Sequence, residues 1–108
     1  MAKPTDVTQF IGDLKGGIAE KQLGLFLSEV AAAVVENNGV GKVTVVLDIK
    51  RISDSSQVEI AHTLSYKAPT ITGEKTEVAK GKTPMYVLNG GGISIMPERQ
   101  DQYLNDPA

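Results

Sequence analysis

The chain has 108 residues, 41% of them hydrophobic and 22% charged, with 11 basic and 13 acidic side chains, one histidine and no cysteine. A single modest core is expected, since a chain of this length buries somewhat over ~60% of the surface its unfolded form exposes. The lack of cysteine excludes a disulfide scaffold, a thiolate zinc site, an iron–sulfur cluster and a cysteine nucleophile.

The longest apolar run, Val30 to Val35, is bounded by Glu29 and Glu36, far short of the roughly 20 residues that span a bilayer. The opening MAKPTDVTQF lacks the apolar stretch of a signal peptide. A soluble, cytoplasmic protein without a membrane partner is therefore expected. Residues 1–38 carry three basic and five acidic side chains, residues 39–96 seven and five, and the remainder one and three. The middle is thus mildly positive, a weaker bias than nucleic-acid-binding domains usually show.

In chain order, Thr8 to Leu14 can form a short helical turn with Phe10, Ile11 and Leu14 facing inward, and Gly16-Gly17 marks a joint. Leu23, Phe26, Leu27, Val30 and Val34 then recur at the spacing of one face of an amphipathic helix. The helix is predicted over Ile18 to Asn37, with Glu20 near its positive end and Asn37, Asn38 and Gly39 available to end it. Ala31, Ala32 and Ala33 would widen its apolar face.

Val43 to Ile52 alternates, with Val43, Val45, Leu47 and Ile49 on one side and Thr44, Val46, Asp48 and Lys50 on the other. Gln57 to Lys67 alternates likewise, with Val58, Ile60, His62, Leu64 and Tyr66 inward. Charge selects the register of this hairpin, because unlike charges directly opposite are favourable and like charges are not. Lys50 is predicted opposite Glu59, Ile49 opposite Ile60 and Leu47 opposite His62, closed by Ser53-Asp54-Ser55-Ser56.

Ala68 to Lys82 is polar, lysine- and threonine-rich and aperiodic, and is expected to be a long exposed loop. Pro84 to Leu88 and Ile93 to Met96 flank Asn89-Gly90-Gly91-Gly92, a second hairpin signal. The predicted fold class is α+β, one long N-terminal helix packed on an antiparallel sheet of about four strands built from two consecutive hairpins. Residues 1–96 are expected to form the domain and residues 97–108 a flexible tail.

No motif specifies a chemistry. Gly81-Lys82-Thr83 resembles the end of a phosphate-binding loop, but Thr76 stands where the first glycine is needed and Pro84 follows where a helix should begin. Gly39-Val40-Gly41 lacks the third glycine of a dinucleotide fingerprint. His62 is assigned to the buried face, away from Asp48, and so lacks an orienting carboxylate. Asp48 and Glu59 share the outer face with Lys50 between them, a poor start for a hard-metal site. No catalytic residue, metal or cofactor is assigned.

Lys67, Lys75, Lys80 and Lys82 with Tyr86 form the best constellation for contact with nucleic acid or another partner. That role would require the lysines to share a face with Lys42, Lys50 and Arg51, yet Lys50 and Arg51 point to opposite faces. The outer sheet face, with Val46 and Ala61 among Thr44, Thr63 and Ser65, and the weakly protected edges lead to the expectation of a homodimer.

The segments DLKGG, GKVTVVLDIKR, QVEIAHTLSYKAP and TPMYVLNGGGISIMPERQ resemble those of small proteins encoded by tailed bacteriophages and prophages. The resemblance runs from about Phe10 to Gln100. It implies an early-region accessory protein, of a kind often encoded near recombination or replication functions, and carries over no catalytic residues. The expected function is non-enzymatic: binding of a host or phage protein as inhibitor or adaptor. Binding of nucleic acid is the alternative.

Overall fold

The computed structural model describes residues 4–96. Helix α1 (Val7–Asp13) leads through a tight turn at Leu14–Gly17 into the long helix α2 (Ile18–Asn37). Four strands follow: β1 (Lys42–Arg51), β2 (Gln57–Pro69), β3 (Glu74–Val87) and β4 (Ile93–Ser94). They form one antiparallel sheet in the order β1-β2-β3-β4, so the α+β arrangement is as predicted. The proposed tail, residues 97–108, lies outside the described residues.

Both ends of α2 follow from local chemistry. Lys15, Gly16 and Gly17 all have positive φ, turning the chain between the helices and leaving Gly17 as the left-handed N-cap. Two glycines in three make that reversal cheap. At the other end Asn38 is left-handed and its N–H bonds to Val34 O. The Asn37 amide donates to both Ala33 O and Pro69 O at 3.0 Å, tying the helix end to the sheet.

The core lies between α2 and one face of β2 and β3. Phe26 and Val30 from the helix meet Ile60, Leu64, Tyr66, Ala68 and Met85, while Phe10 and Leu14 close one end. Phe26 meets Tyr66 edge-on at 4.8 Å between ring centres, the arrangement that aromatic quadrupoles favour. At Gly41 the backbone comes so close to Val30 and Val34 that no Cβ would fit. The helix stripe is narrower than predicted: Leu27 is half-exposed, and Ala31 and Ala32 are exposed. A helix centred over β2 meets the sheet through the Phe26–Val30 side alone.

The first hairpin has the register derived from charge. Lys50 pairs with Glu59, Ile49 with Ile60 and Leu47 with His62, and Ile52 N–H donates to Gln57 O at 2.9 Å before the Ser53–Ser56 turn.

The segment expected to be a loop is instead the most extended part of the fold. β3 runs without a break from Glu74 to Val87 and pairs with the whole of β2, from Pro69↔Glu74 to Gln57↔Tyr86. The connection is only Thr70 to Gly73, closed by Thr70 N–H donating to Gly73 O at 2.8 Å. The sheet is therefore a continuous meander rather than two hairpins joined by a loop. Residues 74–78 are exposed, and without a buried side there is no alternation to read. The last hairpin does turn at the glycine run, with Gly90 and Gly91 at φ 92° and 99°. Its return strand is two residues, Ile93–Ser94, rather than four.

Candidate functional site

The helices cover one face of the sheet, and none of the described elements covers the other. Alternation and register together assign the open face. It carries Lys42, Thr44, Val46, Asp48 and Lys50 from β1, and Gln57, Glu59, Ala61, Thr63, Ser65 and Lys67 from β2. From β3 it takes Glu74, Thr76, Val78, Lys80, Lys82, Pro84 and Tyr86. Val46 and Val78 are 43% and 57% exposed. With Ala61 and the hydroxyls of Thr44, Thr63 and Ser65 they make a weakly polar centre. Charges lie mostly around it, with Lys42 opposite Lys67 at one end and Lys50 opposite Glu59 towards the other.

Four of the five candidate contact residues, Lys67, Lys80, Lys82 and Tyr86, share this face, together with Lys42 and Lys50. Lys75 does not: it pairs with Ala68 on the helix side, as Arg51 pairs with Val58. Tyr86 is half-buried beside Gln57 and Ser94. The strand that unites Lys80 and Lys82 with Lys67 is β3, whose aperiodic stretch up to Lys82 carries no strand signal. The lysines could not be assigned to a face until their pairing with β2 was known.

His62 is 1% exposed and lies between Leu47 and Gly81 on the helix side. Neither ring nitrogen has a hydrogen-bond partner among the described residues. Burial, and then the nearby Lys15 ammonium, lower its pKa below the ordinary 6.5. Both effects disfavour the charged ring, so the imidazole stays neutral near pH 7. Asp48 is on the opposite face, and among the described residues no carboxylate orients the ring as a general base requires. The ring is packed on the covered side of the sheet.

A constellation that sequence reasoning missed surrounds Tyr66. Its hydroxyl lies 2.7 Å from Glu29 Oε2 and 3.0 Å from Glu77 Oε2. One phenolic proton is offered to two carboxylates. The Glu29 hydrogen bond, burial and Glu77 together raise the phenol well above its usual pKa. The phenol links α2, β2 and β3. Tyr66 was legible as an inward residue, but Glu77 belonged to the unassigned segment. Among the described residues, no group of three or more His, Cys, Asp or Glu could hold a metal ion. None of the described helices is long and apolar enough to cross a membrane.

Fold and face together define a small α+β protein whose helices cover one side of an antiparallel meander and leave a broad, lysine-rimmed face on the other. The YfdP family model matches residues 6–93, which takes in the helices, the first three strands and the start of the last. The chain is 43% identical over 102 residues to YfdP of Escherichia coli strain K12, itself described as uncharacterised, covering 94% of this chain and 84% of that one. The chain belongs to the YfdP family. No solved structure matches it.

Proposed function

We propose that this protein is a non-enzymatic accessory module of phage or prophage origin. It acts in the cytoplasm of a bacterial host by binding another protein, as inhibitor or adaptor, through the open sheet face. The observation that carries this reading is the anatomy of that face. Val46, Ala61 and Val78 form an uncharged middle with the hydroxyls of Thr44, Thr63 and Ser65, while Asp48, Lys80 and Lys82 flank it from the outer strands and the remaining lysines lie towards its ends. Protein interfaces have this pattern, with charge depleted at the core and concentrated in a wet rim. The phage origin rests on the resemblance of the segments quoted above.

A specific observation favours nucleic acid as a second reading: Lys42, Lys50, Lys67, Lys80 and Lys82 share one face with Tyr86. Asp48, Glu59 and Glu74 are interspersed on the same face, which weakens the field that a phosphate backbone would meet.

The test is capture of binding proteins from bacterial lysate, with and without nuclease, by the native chain and by the double variant Val46→Asp, Val78→Asp. A defined protein that survives nuclease and is lost with the double variant supports the first reading. Partners stripped by nuclease would overturn it. In that event DNA binding should fall steeply with salt. It should be abolished by charge reversal of Lys67, Lys80 and Lys82, and left unchanged by Lys75→Glu on the other face.

A further inference from the structure

We infer that β1 is a self-pairing edge, through which two copies of this chain join their sheets about a two-fold axis centred on Val45. The inference does not depend on the function proposed above. β1 is ten residues long, pairs among the described residues only with β2, and has no proline and no break in register. Its central residues, Val43 to Leu47, carry no charge. Val45, Leu47 and Ile49 lie on the helix-side face yet are 41%, 40% and 54% exposed, because α2 sits over β2. A long, straight, apolar edge is what monomeric sheets avoid by means of charges, bulges or prolines.

The backbone is poised in the same direction. Ile52 N–H points to β2, so along the unbroken ladder the even-numbered residues bond to β2. The odd-numbered ones, Val43, Val45, Leu47 and Ile49, turn their N–H and C=O outward. Those free groups and the exposed apolar side chains belong to the same residues.

Charge selects the second copy and its register. A two-fold axis perpendicular to the sheet makes β1 antiparallel to its counterpart and keeps each side chain on its own face. Centring on Val45 sets Val45 against the partner's Val45 on the axis, and sets Val43 against the partner's Leu47 and Lys42 against the partner's Asp48, these two contacts each being made twice. Centring on Val46 would oppose Lys42 to the partner's Lys50, and centring one step beyond Leu47 would oppose Asp48 to itself. Centring on Leu47 avoids a clash but forms no ion pair, and centring on Ile49 shortens the overlap. Lys42 also lies opposite Lys67 within its own subunit, an unfavourable pair of like charges. The partner's Asp48 supplies the missing negative charge on its other side. The resulting eight-stranded sheet carries two copies of the open face side by side.

Sedimentation of the full chain across a concentration series should give a dimer at micromolar concentration, twice the 11.5 kDa mass of the chain. A monomer throughout would overturn the inference. Val45→Pro removes an N–H that points to solvent in the single subunit, a position where an edge strand tolerates proline. It should give a folded monomer, and a dimer that persists would assign the contact to another surface. Lys42→Asp should weaken the dimer at least tenfold while relieving the clash with Lys67, so loss of association cannot be laid to misfolding. Adding Asp48→Lys should restore association, and failure to do so would refute the register.

The chain has no cysteine, so a single introduced thiol reports geometry directly. Val45→Cys should form a covalent dimer on mild oxidation, since directly paired residues have Cα atoms about 5.5 Å apart. Leu47→Cys should not, and the reverse pattern would place the axis at Leu47.

Discussion

The two long edges of the sheet are handled in opposite ways. β3 carries Glu74, Lys75, Glu77, Lys80 and Lys82 along its length, and Pro84 removes one donor. Near its end it is paired by β4. The Leu14–Gly17 turn comes up against it between these features: Lys15 N–H donates to Thr83 Oγ1 at 2.8 Å, and Lys15 Nζ reaches Lys80 O at 3.4 Å. β1 has none of these devices between Lys42 and Asp48. A small sheet needs its edges blocked only where nothing is meant to add to them. The contrast therefore distinguishes a closed side from one available for pairing.

The comparison can be broken most forcefully in the core. Met85 is fully buried on the β3 side, whereas Ile49 is 54% exposed on β1. Met85→Ala should cost about 2–5 kcal/mol in urea unfolding, and Ile49→Ser less than about 1 kcal/mol. Equal costs would mean that β1 is as well covered as β3.

A second test bears on the close packing beside β3. A Cβ on Gly81 would lie 2.5 Å from His62 Cε1 and 2.7 Å from Lys15 Cδ. Gly81→Ala should therefore destabilise by about 1–3 kcal/mol through overpacking. A neutral result would show that the Lys15 turn yields easily.

A smaller effect is expected from Thr83→Val, which takes the acceptor from Lys15 N–H. The cost should be about 1 kcal/mol, and hydrogen exchange at the Lys15 amide should speed up while amides of β1 are unchanged. Uniform acceleration would instead mean that the turn and both edges open as one unit.

The subtlest test is pH, because His62 lies between Leu47 of β1 and Gly81 of β3. Its folded-state pKa is lowered from 6.5, so below that pH the unfolded chain takes up a proton more readily than the fold. The stabilisation is complete above 6.5 and declines as pH falls from there towards the folded value. The unfolding midpoint should drop between pH 7.5 and 5.5 in the native chain, and the drop should be smaller in His62→Leu. Identical profiles would show that other groups set the acid response.

Much of this architecture was legible wherever a side of an element is buried. Phe26 and Val30 revealed the helix, and its bounds follow from glycine and asparagine in left-handed conformations. The first hairpin could be aligned because one of its neighbouring registers juxtaposes like charges. His62 was correctly assigned to the interior, and Phe10, Phe26 and Tyr66 to the core.

β3 was not legible, and the candidate face was lost with it. Residues 74–78 are exposed on both faces and held by backbone bonds to β2. A strand of that kind leaves no hydrophobic period in its composition. Local sequence determined the helix, the first hairpin and the glycine turn, because burial and steric demands act there on nearest neighbours. Tertiary structure alone decided that Lys80 and Lys82 share a face with Lys67, that Tyr66 joins Glu29 to Glu77, and that no second described strand covers β1. Each of these depends on which long strand a chain segment finds as its partner, and backbone hydrogen bonding is blind to side-chain identity.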